Sequence, residues 1–310
     1  MRHKQFYWPS TNVLVTRFLL TDGIAELEDF MPVGLPSDSP EYRHVCRCVP
    51  CVRGSVHISV ACRPASDYGR QTHDTLIEAN GATFKTGSLT LALSTAVPLR
   101  NDGRGGVSAA FMLSEGKSQV FILRDDCNKG GVPCPPPEEE AERLLRGPVK
   151  FWQNRLSACT YHGPLTGSGT QISLGAKLLT FAPTRAIIAV PTTSLPEVIG
   201  GTRNWDDRYT WMRDAAFTVY AFLRIGSRDE AAAAFMGWIE DYASKHARRR
   251  NAAQSSSRSM ATTSFPSTNW ITWKVIEGPA RCASATTPFR SSKEASTASS
   301  WTRFAFPIST

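Results

Sequence analysis

The sequence lacks any apolar run of 18 or more residues, and it lacks the charged-then-apolar opening of a secretory leader. Neither a membrane-spanning helix nor an export signal is therefore expected, and no membrane partner. A reducing, cytoplasmic setting is the default expectation. Paired metal-ligand spacing is missing as well. Of the eight cysteines, Cys46, Cys48 and Cys51 form C-x-C-x-x-C without a second half, and the six histidines are scattered. Cys46 and Cys48 fall on one face of a predicted strand, where ordinary buried thiols sit. No metal and no organic cofactor is expected.

A surplus of one charge is absent wherever the chain looks foldable. The formal net charge is +8, but residues 245–310 hold ten Lys/Arg against two Asp/Glu, leaving 25 against 25 in residues 1–244. A nucleic-acid partner for the folded part is thereby removed. The 245–310 segment also has no Leu, no Asp and no Tyr, and 22 of its 66 residues are Ser or Thr. Arg248–Arg250 and Ser255–Ser257 are homopolymeric runs. Two readings stand: a disordered basic tail, or translation in a shifted frame. Trp270, Trp273 and Trp301, with several Phe beside Pro, make a poor linker and favour the second.

Met1 to about Asp126 reads as antiparallel β. Segments 12–20 and 24–33 flank Thr21-Asp22-Gly23, where Asp-Gly signals a hairpin. Segments 43–52 and 56–63 flank Arg53-Gly54-Ser55 in the same manner, Asn80-Gly81 separates 75–79 from 82–85, and 89–99 continues the pattern. Segments 107–113 and 118–123 flank a turn at Glu115-Gly116-Lys117. Short strands joined by tight turns predict a sandwich of antiparallel sheets. The first strand is expected a dozen residues in, with nothing before it but an exposed Phe6-Tyr7-Trp8, which suggests a missing N-terminal piece of sheet.

A Gly/Pro-rich linker, 127–137, leads into a helical stripe over 138–159 (Leu144, Leu145, Val149, Trp152, Leu156), interrupted at Gly147-Pro148. Glu138–Glu140 sit in its first turn, where the helix dipole favours acids. Helices are further expected over 170–181, 214–225 and 229–243. At 310 residues the chain can hold two domains.

Within 200–216, G-G-T-R-N-W-D-D-R-Y-T-W-M-R-D-A-A, two Trp, one Tyr, three Arg and three Asp crowd together. Flat aromatic faces beside charged hydrogen-bonding groups suit a polyhydroxylated ligand. The alternative is structural: Asp214 caps the following helix, and Arg213 pairs with Asp206 or Asp207.

The loop P-T-T-S-L-P-E (191–197) followed by G-G-x-R-N-W-D-x-R-Y-T-W-x-R-D-A-x-F-T (200–218) resembles glycoside hydrolase family 15, more closely its bacterial glucoamylase/trehalase-like branch. Residues 12–33 and 52–68 resemble that branch's N-terminal β-domain, so the resemblance runs from about Phe6 to Tyr242. It implies a multidomain β + α chain: an N-terminal antiparallel β super-sandwich (1–126), a linker and connector helix (127–165), the first helices of a truncated (α/α)6 barrel (166–244), and the aberrant tail (245–310). It implies inverting hydrolysis of α-glucosidic bonds from non-reducing ends, by one Glu that protonates the leaving oxygen and another that activates water. The substrate is an α-glucoside or trehalose.

By that resemblance Tyr209, Trp211, Arg213 and Asp214 bind the non-reducing-end glucose, with Trp205 beside them. Asp207 stands where the family commonly has Tyr. Both catalytic Glu belong to segments beyond the second helix pair. Glu277 and Glu294 lie in the tail without matching context, and Glu197 belongs to the loop motif. The chain as written is therefore expected to be inactive. A non-catalytic carbohydrate-binding β-module is the competitor from another class, and a basic-tailed nucleic-acid binder is a third.

Overall fold

The computed structural model describes residues 2–35, 39, 44–66, 71–87, 89–125, 131–157, 159, 173–181, 185–189, 210–226, 231–250 and 301–305, with backbone alone for 231–234, 245–250 and 301–305. The chain divides into two compact units. Among the described residues, one takes in those of 2–153 and 301–305, and the other those of 154–250.

The sheet of the first unit is antiparallel throughout. Its strands are β1 (Arg2–Tyr7), β2 (Leu14–Leu19), β3 (Gly23–Phe30), β4 (His44–Ala65), β5 (Asp74–Glu78), β6 (Gly81–Thr86), β7 (Leu89–Ser94), β8 (Arg100–Asn101), β9 (Val107–Ser114), β10 (Ser118–Asp125) and β11 (Trp301–Ala305). Hydrogen-bonded neighbours run β1-β2-β3-β4-β10-β7-β6-β5, while β9 and β11 join β4, and β8 joins β9. Contrary to the expectation of an empty N-terminus, β1 precedes the predicted first strand and pairs with β2 along its whole length. It is an edge strand and almost wholly exposed, so it carries no alternating apolar signal.

The predicted turn at Arg53-Gly54-Ser55 is not a turn. One strand of 22 residues runs straight through it. Residues before Gly54 pair with β3 and β10; from Ser55 onward they pair with β9, and Ala61–Ala65 pair with β11. Gly54, at φ 72°, is the corner where β4 leaves one sheet for the other. The Glu115-Gly116-Lys117 turn crosses at the same place: Glu115 N–H donates to Gly54 O (2.7 Å), and Gly116 N–H to Cys51 O (3.0 Å). Glu115 Oε2 accepts from Gly54 N–H at 2.8 Å. Both layers share one core. Phe18, Leu27 and Val49 from one sheet meet Ile58, Val60 and Leu113 from the other, around the fully buried Phe84 and Phe121.

Helix α1 (Glu138–Ser157) covers the opposite face of β3, β4 and β10. Its Ala141 joins Phe30, Cys46, Cys48, Val120 and Ile122, with Leu144, Leu145 and Val149 packed against them. The predicted interruption does not occur: Pro148 lies inside a continuous helix with its ring buried. The apolar stripe outweighs the one hydrogen bond that proline removes. Glu138–Glu140 occupy the first turn as expected.

The second unit is helical. Residues 173–178 form a short turn of helix, a bridge pairs Thr180 with Ile187, and α2 (Met212–Arg224) and α3 (Ala231–Arg250) follow. Ala186, Ile187, Ala215, Phe235 and Trp238 form their shared core, in which the Phe235 and Trp238 rings stack at 5.4 Å. An antiparallel β unit followed by a helical one is the coarse architecture expected.

Candidate functional site

The crowded stretch ends at the start of α2. Trp211 is the N-cap residue, in extended conformation and without a side-chain cap bond; its carbonyl receives Ala215 N–H at 2.8 Å. Asp214 is therefore not the cap. It stands in the first turn, where the free N–H groups and helix dipole favour a carboxylate, while Arg224 in the last turn suits the other end. The helix forms because Ala215 and Phe222 share one buried side. It stops at Ile225, whose N–H returns to Ala221 O, and at Gly226, whose φ of 87° suits the left-handed position after a helix.

Arg213 and Asp214 point outward. The Arg213 side chain is 80% exposed and Asp214 43%, and Nε lies 3.4 Å from Oδ1. An exposed pair of that length contributes less than about 1 kcal/mol. Among the described residues the partner of Arg213 is its neighbour, and the pairing is loose enough to leave guanidinium and carboxylate available to a ligand's hydroxyls. Asp214 is also held from the backbone side, where Thr218 Oγ1 donates to its carbonyl at 3.0 Å.

Of the predicted site residues, Trp211, Arg213 and Asp214 are thus brought together on one helix start. Tyr209 and Trp205 lie outside the described residues, as do Arg203, Asp206, Asp207, Arg208, Glu197, Glu277 and Glu294. Thr210 is buried, and its hydroxyl finds no hydrogen-bond partner among the described residues, although a buried unmet hydroxyl costs about 1–3 kcal/mol. A threonine among aromatics carries no signal of this in the sequence. No group of three or more His, Cys, Asp or Glu among the described residues could hold a metal, and no described helix is long and apolar enough to cross a membrane.

Residues 169–267, which include this helix start, match glycosyl hydrolases family 15. The match runs past Tyr242, where the resemblance read from the motifs stops. The chain belongs to this family, in its trehalase-like branch. Among its relatives is a trehalase of Thermoplasma acidophilum, 32% identical over 234 residues, covering 73% of this chain and 38% of the relative. A trehalase of Thermoplasma volcanium is 30% identical over 232 residues, covering 73% and 36%. A trehalase of Mycobacterium tuberculosis is 30% identical over 230 residues, covering 71% and 33%. Matches of that length must include part of the β unit as well. The chain spans only about a third of the length of these curated relatives.

Proposed function

We propose that this chain carries the sugar-gripping part of a family 15 glycosidase that acts on trehalose. Arg213 and Asp214 bond the hydroxyls of the non-reducing-end glucose, and Trp211, Tyr209 and Trp205 wall it. The observation that supports this is the exposed, loosely paired Arg213–Asp214 couple at the start of α2, inside the family-matched segment. Trehalose is favoured over a maltosaccharide because the relatives are trehalases. The reaction is hydrolysis with inversion: one carboxyl protonates the glycosidic oxygen while another removes a proton from the attacking water, the two standing roughly 6.5–9.5 Å apart. We place neither carboxyl among these 310 residues, so the chain by itself binds sugar without cleaving it. A cytoplasmic setting accords with the six free cysteines among the described residues.

Titration of the 310-residue chain with trehalose and maltose, followed by NMR, tests the reading. Trehalose is expected to bind more tightly, and Arg213→Ala or Asp214→Ala to weaken it about 10- to 100-fold, the worth of one charge-assisted bond. Sugar affinity unchanged in both folded variants, or absent from the parent chain, would overturn the assignment. Glucose release by the purified chain would overturn the placement of the two carboxyls elsewhere.

A further inference from the structure

Glu26 and Glu28, two apart on β3, share the sheet face that α1 covers. Both are buried, Glu28 the more deeply. Glu26 is matched by Arg17 of β2, its cross-strand neighbour. Glu28 is not matched. Across the ladders it meets Val15 on β2 and Cys48 on β4, and its carboxyl makes no ion pair or hydrogen bond with a described residue. Next to it on the same face stand Phe30 and Cys48, both members of the apolar cluster that Ala141 of α1 completes. A buried carboxylate with no partner is the costly species in such a place, and the protonated form is the tolerated one.

The charges around Glu28 do not relieve it. Arg17 is engaged by Glu26. Asp29 points to the other face and pairs with Arg47. The Cys48 thiol is itself pushed up by burial, with the charges of Glu28 and Asp29 adding. On α1, Arg143 pairs with Glu140 and Arg146 with Glu142, all exposed, and Lys150 is exposed too. The helix turns its apolar side to the sheet.

We propose that Glu28 is a proton-operated latch for α1: protonated, it lets the helix seat on β3, β4 and β10, and its ionisation loosens the helix from them. Burial, with the charge of Glu26 adding, pushes this carboxyl up from 4.5 to about 7, so the latch works near neutrality. The seated helix holds the proton and the loosened one releases it. Seating is therefore fully favoured below about pH 4.5, weakens as pH rises through the window to about 7, and levels off above.

Hydrogen exchange of the 310-residue chain between pH 5 and 8, corrected for intrinsic exchange, tests the proposal. Peptides from 141–153 are expected to lose protection by up to about tenfold per pH unit below the plateau, while those from 107–114 in β9 hold theirs. Glu28→Gln, which mimics the protonated acid, removes the slope and keeps α1 protected at pH 8. Glu26→Gln shifts the window to lower pH. A pH-independent α1 in the parent chain, a slope that survives Glu28→Gln, or equal loss of protection in α1 and β9 would each overturn the latch.

Discussion

Replacing Gly54 by Ala puts a methyl group where β4 changes sheets, and the structure sets the cost. A Cβ there would lie 2.2 Å from the backbone oxygen of Asp22 and 3.1 Å from Gly23 Cα. Neither neighbour is the movable end of a side chain, so the β2–β3 turn has to shift. Such overpacking costs about 1–3 kcal/mol. The left-handed φ of 72° adds about 1–2 kcal/mol for any residue with a Cβ. Gly116 supplies the control. Its φ is 73°, but a Cβ there meets nothing within 4 Å. Gly116→Ala carries the φ penalty alone, and both variants gain the same small term from a stiffer unfolded chain. Gly54→Ala should therefore destabilise the β unit by about 3 kcal/mol and Gly116→Ala by about 1 kcal/mol. In urea unfolding the difference appears as a midpoint lower by about 1 M for Gly54→Ala, at equal m-value. Equal midpoints would show that the two strands do not cross where Asp22 meets Gly54.

Asp102, its side chain 3% exposed, accepts from Arg63 and from the N–H groups of Arg104 (2.8 Å) and Gly106 (2.9 Å). Burial alone would push its carboxyl up, but the Arg63 bond and these amides outweigh it and hold it below the usual range. Its stabilisation is present above the unfolded carboxyl's value and lost as pH falls through the folded one. Asp102→Asn should cost about 2 kcal/mol at pH 7 and flatten the acid limb of the melting profile; an unchanged acid limb would refute this. Burial, with Glu28 and Asp29 adding, pushes Cys48 from 9.0 to about 12, which cuts its thiolate at pH 8 about a thousandfold. With a thiol reagent, exposed Cys134 should react at once, and Cys46, Cys48, Cys51 and Cys62 only on unfolding. Mass spectrometry of labelled peptides checks the order.

Much of the β unit was legible because its signals are local. Thr21-Asp22-Gly23 and Asn80-Gly81 close hairpins between strands that pair with each other. Arg53-Gly54-Ser55 looks the same over three residues, because a hairpin and a sheet-to-sheet corner both want a left-handed glycine. Only the distant partners β9 and β10 distinguish them. β1 leaves no sequence signal because an exposed edge strand needs no apolar alternation, and Pro148 has the look of a helix break although α1 is held by packing rather than propensity. At the site, the charge and aromatic crowding marked Arg213 and Asp214 correctly as a helix start. The cap is offset by three residues because Trp211, not a usual capping type, holds that position. The unmet hydroxyl of Thr210 depends on what surrounds it and leaves no trace in residue order.

That β4 serves two sheets also bears on how the chain is made. During synthesis β4 leaves the ribosome with only β3 ready to pair with it, since β9 and β10 are not complete until Asp125. Until then its second half stands as an unpaired edge, with Val56, Ile58, Val60 and Cys62 along one face, of the kind that recruits other chains. The unit cannot fold as it emerges. Its time to the native state is governed by long-range closure, and the chain's yield in a cell should depend more on elongation rate and chaperone supply than on the stability it finally reaches.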